Sequence, residues 1–342
     1  MTGVVLFFLG FSLLLYVLLG GADFGAGIIE LFSSKASQDI TKKTVYRVMG
    51  PVWEANHIWV IILIVILWIA FPKYYKVMVT SLHIPITLML LGITLRGVAF
   101  VFRHYDAFVD KSQHVYNWLF RISSLITPIF LGMVFGGMVS SRIVLVDETA
   151  TSFAEAYISP WLNLFSLLVG FFFASLCAFL SAVLLIGEAD EQGYPIYVRK
   201  AKIATIVVVV MGFITITYGY FTDLPFVHDI VSNNLSVALV ILSAICLLPL
   251  WYYVKKGSRI ISRTFAGLQV ILIIAVAFIP HFPNALLIKG GSLNLFESMA
   301  PDSVIKILGI SLIIGGLIIL PGLFHLLKSF KLIKILERKK IS

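Results

Sequence analysis

Charged residues are scarce in this sequence. Only 13% of its 342 residues are Asp, Glu, Lys or Arg, whereas 60% are hydrophobic. Soluble domains carry about one quarter charged residues and under half apolar ones, so the composition excludes an ordinary soluble protein. Several apolar runs exceed about 18 residues, which is long enough to cross roughly 30 Å of hydrocarbon. The sequence therefore predicts an all-α polytopic membrane protein.

Cysteine is also rare, since the chain has only Cys177 and Cys246. Both lie inside apolar runs without C-x-x-C spacing, which gives no support for a disulfide, a covalently attached haem or a zinc site. We interpret both as small buried hydrophobic residues. The N-terminus has neither the cationic stretch nor the small-residue cleavage site of a signal peptide, so we interpret it as the first retained span.

The apolar runs predict nine membrane spans within a single integral membrane domain, residues 1–342. Their ends are defined to within about four residues. The spans are residues 3–31, 52–71, 77–102, 118–141, 160–186, 202–220, 235–254, 264–281 and 303–327.

The distribution of Lys and Arg predicts the orientation of these spans. With the N-terminus outside, the inner loops, the inner ends of the spans and the C-terminal tail hold 20 of the 26 Lys and Arg residues, the outer loops hold five, and Arg96 lies deeper inside a span. This asymmetry favours an outer N-terminus and a cytoplasmic C-terminus. It also explains the net charge of +9 without nucleic acid as a partner.

A few ionisable residues lie inside the predicted spans. Such groups cost roughly 2.5–3.5 kcal/mol on insertion scales and therefore usually face protein, water or a partner. At 1.5 Å per residue, Asp23 in span 1, Glu54 and His57 in span 2 and Arg96 in span 3 have similar depths in the cytoplasmic third. Consecutive spans joined by short loops tend to be neighbours. We therefore expect these four side chains to converge in one inner pocket.

Two interpretations of this pocket stay open. In one, Asp23 and Arg96 form an ion pair that fixes helix packing. In the other, the carboxyl group of Glu54, which shares a helix face with His57, relays protons near the inner surface. An acid in a first helical turn is also favourable by itself. Trp59, two residues beyond His57, either packs in the core or lines a partner interface.

Histidines near span ends raise a haem-bearing cytochrome subunit as an alternative. His57 and His325 are predicted to be inner, and His83 and His281 outer, so two bis-imidazole pairs are conceivable. A lone histidine at a helix end is more often interfacial or hydrogen-bonded. We therefore expect no haem on this chain.

The stretch GGADFGAG in span 1 has an explanation in packing, because small residues let membrane helices approach closely. A dinucleotide-binding loop would need a preceding strand, and none is expected here.

Three motifs in order resemble subunit II of cytochrome bd-type quinol oxidases. They are GGADFGAG in the first span, GPVWEANHIW at the start of the second and LRGVAFVFRHYD at the end of the third. The stretches ISPWLNLFSLLVGF and FIPHFPN extend the resemblance. Nine helices, an outer N-terminus and an inner C-terminus agree with that family over the whole chain.

This resemblance implies a function that the residues alone do not show. Such oxidases oxidise quinol and reduce dioxygen to water in a bacterial or archaeal cell membrane, with protons drawn from the cytoplasm. Haem b and haem d type centres are then expected in subunit I, the heterodimeric partner. The present chain would be a haem-free subunit of two four-helix bundles plus one peripheral helix. It would support assembly and proton supply, with a structural quinone and a small single-helix accessory subunit as further expectations.

The resemblance also implies roles for individual residues. Glu54 stands where family members commonly have Asp, an acid assigned to a proton route at the subunit interface. Asp23 and Arg96 match the acid and the arginine of the first and third motifs, where they would hold and tune that route. Asn56 and Trp59 match the rest of the second motif, whereas His57 occupies a position that is often not histidine.

A proton-coupled secondary transporter is the alternative function. It would also need intramembrane charge, but transporters favour charge and broken helices near the midplane, and here the polar cluster lies toward the inner surface.

Overall fold

The computed structural model describes residues 1–49, 53–105, 112–145, 152–189 and 193–329. Helices dominate. They are α1 (Thr2–Leu15), α2 (Gly21–Leu31), α3 (Lys35–Met49), α4 (Trp53–Ala70), α5 (Pro72–Tyr105), α6 (Ser112–Val139), α7 (Phe153–Tyr157), α8 (Leu164–Ile186), α9 (Tyr194–Phe221), α10 (Pro225–Ser232), α11 (Asn234–Lys255), α12 (Arg259–Phe278) and α13 (Asp302–Ser329).

Eight helical segments in the described residues are long and apolar enough to cross a membrane. A shorter apolar segment, Ala55–Ala70, lies in α4 and coincides with the second predicted span. The structure therefore supports a polytopic membrane protein. Its longer helices extend the predicted spans by up to about two turns beyond their apolar stretches.

Two long helices have local irregularities. A π-helical turn, Tyr16–Gly20, joins α1 to α2 so that the pair forms one continuous segment. In α5, Leu82 leaves helical geometry with φ −116° and ψ 17°, three residues before Pro85. Proline lacks an N–H donor and its ring clashes with the preceding turn, which bends the helix at this point.

Helix α8 forms the centre of the molecule, packing against α2, α6 and α9. In its most apolar stretch 72% of the residues are buried, against 11% for α13, which lies at the periphery. The contact with α2 is so close that a Cβ atom on Gly25 would overlap the carbonyl oxygen of Cys177. Close packing in this part of GGADFGAG thus agrees with the explanation given for its small residues.

Three features were not expected from the sequence. Helix α3 follows the first span directly, whereas the sequence indicated only a loop. Short helices α7 and α10 lie between spans. A two-stranded antiparallel hairpin, β1 (Leu286–Ile288) and β2 (Gly291–Leu293), precedes α13 with Leu286 opposite Leu293, so the all-α prediction omits this small element.

Candidate functional site

The centre of the site is a buried ion pair between α2 and α5. Arg96 donates from Nη1 to Asp23 Oδ2 at 2.5 Å and from Nη2 to Asp23 Oδ1 at 2.8 Å. Arg96 Nη2 also donates to the Asp23 carbonyl oxygen, and Arg96 Nε donates to Ser124 Oγ. Asp23 is 0% exposed and Arg96 2% exposed. Burial is tolerated because each charge has an opposite charge and further hydrogen bonds.

A second ion pair lies two turns further along the same helices. Arg103 Nη2 donates to Glu30 Oε2 at 2.8 Å, and Arg121 Nε of α6 lies 3.6 Å from Glu30 Oε1. Glu30 is 1% exposed, Arg103 5% and Arg121 8%. Glu30 is therefore a buried acid that holds together three helices, α2, α5 and α6.

The two ion pairs form a ladder with a common geometry. Asp23 precedes Glu30 by seven residues, and Arg96 precedes Arg103 by seven, so each pair of charges lies on one face of its helix. Because both sequence numbers increase together, α2 and α5 run parallel. The ring of Phe120 lies between the arginines, with guanidinium carbons 5.0 Å and 4.6 Å from its centroid, and adds a cation–π contact to each.

His57 lies beside this ladder. Its ring centroid is 5.8 Å from that of Phe24 and 6.2 Å from that of Tyr16. The Arg96 guanidinium carbon lies 5.2 Å from the centroid of the same Phe24 ring. Asn56 is buried at 4% exposure. The structure thus brings three of the sequence-predicted residues, Asp23, Arg96 and His57, into one neighbourhood.

The carboxyl group of Glu54 lies outside the described residues, although its main chain belongs to the first turn of α4. Its predicted role therefore stays a prediction. Trp59 is 3% exposed and packs edge-to-face against Phe11 of α1. It also lines an apolar groove between α4 and α13, together with Gly315 and Gly316.

Basic side chains surround the Glu30 end of the ladder. Lys200 of α9 donates from Nζ to Ser33 Oγ at 2.6 Å and to Thr41 Oγ1 at 2.8 Å. Lys42 of α3 is half-buried, and this burial, together with the nearby positive charge of Arg103, holds its pKa below the usual value for lysine. Helix α3 is therefore fastened to the membrane helices by polar contacts at this end.

The histidines considered as haem ligands have separate surroundings. His83 is exposed on α5 and lies edge-on to Tyr157. His281 is 5% exposed, stacks on Phe226 at 4.4 Å and has Nε2 3.4 Å from Asp229 Oδ2. Among the described residues, no group of three or more His, Cys, Asp or Glu side chains is placed to hold a metal ion.

Sequence reasoning missed Glu30, Arg103 and Arg121. Glu30 ends the first span and Arg103 follows the third, positions at which charged residues are ordinary. The available signal was the repeated seven-residue spacing, Asp23 to Glu30 and Arg96 to Arg103. Once the first pair is proposed, that spacing predicts a second pair on the same faces two turns away.

Known proteins of one kind resemble this chain. The cytochrome bd ubiquinol oxidase subunit 2 of Bacillus subtilis is 26% identical over 315 residues, covering 90% of this chain and 88% of that protein. A putative cytochrome bd menaquinol oxidase subunit II of the same organism is 22% identical over 331 residues, covering 92% and 91%. The Escherichia coli K12 cytochrome bd-I ubiquinol oxidase subunit 2 is 24% identical over 163 residues, covering 47% and 42%.

The fold agrees with these relatives. A chain from the structure of the bd oxidase from Geobacillus thermodenitrificans superposes with a TM-score of 0.76 at 18% identity, covering 96% of this chain and 99% of that chain. Nothing in the comparisons supports the transporter alternative. The family model for cytochrome bd terminal oxidase subunit II matches residues 1–330. The chain therefore belongs to the cytochrome bd terminal oxidase subunit II family.

Proposed function

We propose that this chain is the haem-free subunit of a quinol-oxidising, dioxygen-reducing heterodimer, in which it supports assembly of subunit I and helps to supply cytoplasmic protons to the oxygen site. The observation that carries this proposal is the buried ladder of Asp23–Arg96 and Glu30–Arg103, with His57 beside it. Intramembrane charges of this kind mark ion and proton routes and partner contacts. Family membership supplies the type of reaction.

We propose nine spans, with α4 as the second. The parallel arrangement of α2 and α5 supports this count, because a chain that crosses twice in the same direction must return in between. Helix α4, with 18 residues, is about 27 Å long and provides that return. The excess of Lys and Arg in alternate loops supports an outer N-terminus and a cytoplasmic C-terminus, and the family resemblance supports two four-helix bundles and a peripheral helix.

In this orientation we propose that the ladder acts as a fixed set of paired charges. Asp23 and Glu30 are each paired with arginines, which compensate their buried charges. Glu54 enters the membrane at the start of α4, one turn before His57, and is proposed as the group that exchanges protons with the cytoplasm. Asp23 and Arg96 set the local field that tunes it.

The outward face of α5 is the proposed contact with subunit I. Polar side chains His83, Thr87 and Thr94 are exposed along this face, together with the apolar Leu90 and Leu91. The exposed residues of α9 from Ile203 to Ile216 are apolar by contrast. Polar groups are costly against lipid, which favours a protein partner over α5 and lipid over α9. Haem b and haem d type centres are proposed to lie in that partner.

Quinol, a structural quinone and a small accessory subunit complete the proposal. The groove between α4 and α13 supports a structural quinone. Its apolar lining suits an isoprenoid tail, and Trp59 offers a buried N–H without a described partner.

The test is a Glu54→Gln substitution in the purified membrane complex. We expect the reduced-minus-oxidised haem spectrum to be unchanged and quinol-driven oxygen consumption to fall by on the order of a hundredfold, since a positioned proton-transfer group contributes at least that factor. Glu155→Gln is the matched control, because Glu155 pairs with Lys289 near the hairpin, away from the ladder.

Three other outcomes contradict parts of the proposal. Equal loss of haem and activity assigns Glu54 to assembly rather than to proton supply. Full activity excludes Glu54 from the proton route. Purification without a haem-bearing second subunit contradicts the oxidase assignment itself.

A further inference from the structure

Positive charge exceeds negative charge at the Glu30 end of the ladder. Arg103 Nη2 and Arg121 Nε lie 2.8 Å and 3.6 Å from the Glu30 carboxylate. Lys42 and Lys200 lie within electrostatic range of the same carboxylate. Four cationic side chains therefore face one buried acid. Because charge that is removed from water and left uncompensated is costly, this arrangement favours a further anion.

The guanidinium group of Arg103 has donors that the described residues do not use. Its Nη2 donates to Glu30 Oε2, whereas Nε and Nη1 are buried without a hydrogen-bond partner. In the part of the chain that the structure describes, no other side chain has two such atoms. A buried donor on a charged group is more costly to leave unpaired than a neutral one. These nitrogens therefore indicate that an acceptor binds beside Arg103.

Arg96 shows a complete set of partners in the same helix. It lies seven residues before Arg103 on the same face of α5, and the ring of Phe120 contacts both guanidinium groups. Arg96 Nε donates to Ser124 Oγ, and its Nη1 and Nη2 donate to the Asp23 carboxylate. All three nitrogens of Arg96 are thus bonded, against one of Arg103. The missing acceptor is therefore a local property of the second ion pair.

Lys42 supplies a second unused charge from α3. It is half-buried, and among the described residues its ammonium group has no hydrogen bond or ion pair, although Arg103 and the exposed Asp39 lie within electrostatic range. The preceding residue, Thr41, accepts a hydrogen bond from Lys200 Nζ at 2.8 Å, which fixes this turn of α3 against α9. Lys42 is therefore held in the neighbourhood of Arg103 without an ion pair of its own.

We propose that the Glu30 end of the ladder is a binding site for a phosphate-class anion, held by Arg103, Arg121 and Lys42. A phosphate group fits because it offers several acceptor oxygens and negative charge. A guanidinium group pairs with such oxygens through two parallel hydrogen bonds, and an ammonium group binds them as a point charge. The anion balances the excess positive charge and fastens α3 to α5 and α6.

Two sources carry this chemistry, a phospholipid headgroup and free inorganic phosphate. In the proposed orientation the site lies at the cytoplasmic surface, where basic pockets between helices bind the headgroups of anionic lipids. Phe102, next to Arg103, and Trp118 are exposed, and the Arg121 guanidinium carbon lies 5.4 Å from the centroid of the Trp118 ring. This apolar surface suits acyl chains, whereas free phosphate needs only the cations.

The first experiment titrates the purified complex with inorganic phosphate, at an ionic strength held constant with chloride, and follows Tm. We expect Tm to rise with phosphate, since a ligand that binds the folded state stabilises it. Lys42→Gln should lower the affinity for phosphate by on the order of tenfold, the value of one charge-assisted hydrogen bond. Lys43→Gln is the matched control, because Lys43 is exposed and its loss changes the net charge equally.

A second variant keeps the counter-ion of Glu30. Arg103→Lys retains a positive charge beside the carboxylate but removes the paired donors of the guanidinium group. We expect its haem content to match that of the unsubstituted complex, and its affinity for phosphate to fall as in Lys42→Gln. An unchanged affinity in both variants overturns the proposal.

Native mass spectrometry of the delipidated complex separates the two sources. Retention of phosphatidylglycerol in preference to phosphatidylcholine, reduced in Lys42→Gln but not in Lys43→Gln, identifies a lipid headgroup. Equal retention of both lipids, together with the phosphate-dependent rise in Tm, identifies free phosphate. Both results support the site.

A map of the native complex by electron cryomicroscopy gives an independent readout. We expect separate density within hydrogen-bonding distance of Arg103 Nε or Nη1. Density there that belongs to an acidic side chain of either subunit overturns the proposal, because the acceptor is then part of the protein. This readout does not depend on which reaction the complex performs.

Discussion

The two halves of this molecule, represented by helices α2, α5 and α6 and by helices α11 and α12, pack in the membrane through different kinds of contact. Helices α2, α5 and α6 bury five charged side chains, Asp23, Glu30, Arg96, Arg103 and Arg121. Helices α11 and α12 pack through apolar side chains, and a described polar contact between them is weak, Gln269 Nε2 to the Ser243 carbonyl oxygen at 3.3 Å. Buried charge demands exact partners, whereas apolar packing tolerates exchange.

This difference teaches where sequence changes are dangerous. A charge in the first half is harmless only while its partner remains, because removing one member leaves an uncompensated ion in a low-dielectric interior. In the second half a polar group is weakly engaged, so its loss removes little. The following experiments break or sharpen this contrast.

The largest effect is expected from Arg96→Leu. This change leaves Asp23 buried without its counter-ion and should destabilise the subunit by about 3–5 kcal/mol. Thermal unfolding of the purified complex, or its yield from membranes, measures the loss. The Asp23→Leu/Arg96→Leu double variant is the control and should recover most of the stability. Equal damage in single and double variants would contradict the ion-pair explanation.

A substantial effect is expected from Gly25→Ala. The added Cβ would overlap the Cys177 carbonyl oxygen and force α2 away from α8, which should cost about 1–3 kcal/mol. Gly10→Ala in α1 is the matched control, because a Cβ there meets nothing within 4 Å. The same unfolding midpoint for both variants would show that the contact with α8 is not tight.

A smaller effect is expected from acidification, through His281 just beyond the C-terminal end of α12. Burial holds the pKa of His281 below its ordinary 6.5. The unfolded chain therefore takes up a proton at higher pH than the folded one does, so stability falls as pH decreases below 6.5. The shift in Tm between pH 7.5 and 5.5 should shrink in His281→Gln, and an unchanged shift would exclude His281 as its source.

The smallest effect is expected from Gln269→Leu. Polar contacts between membrane helices average only about 0.6 kcal/mol, and this one is long, so Tm should barely move. Glu30→Leu is the comparison within the first half and should lower Tm clearly, since it leaves Arg103 and Arg121 without their acid. Equal effects would remove the contrast between the two halves.

Part of this site could be predicted and part could not. Asp23 and Arg96 were placed at one depth by counting residues along two helices, because helical rise is constant. Glu30 and Arg103 sit at helix ends, where charge alone carries no signal, and only their repeated spacing hinted at a second pair. The Phe120 ring between the arginines comes from α6, and no local pattern in the sequence of that helix indicates that the ring packs against Arg96 and Arg103.

The sequence by itself determined that the protein spans a membrane, since hydrocarbon thickness sets the length of an apolar helix. It also determined which few ionisable residues lie inside the predicted membrane spans, and its motifs indicated the family. Only the tertiary structure decided that Asp23 accepts a bidentate arginine, that Glu30 is shared by two arginines, and that the rings of Tyr16 and His57 lie 6.2 Å apart. Such pairings depend on the rotation and separation of helices, which are set by packing across the whole molecule.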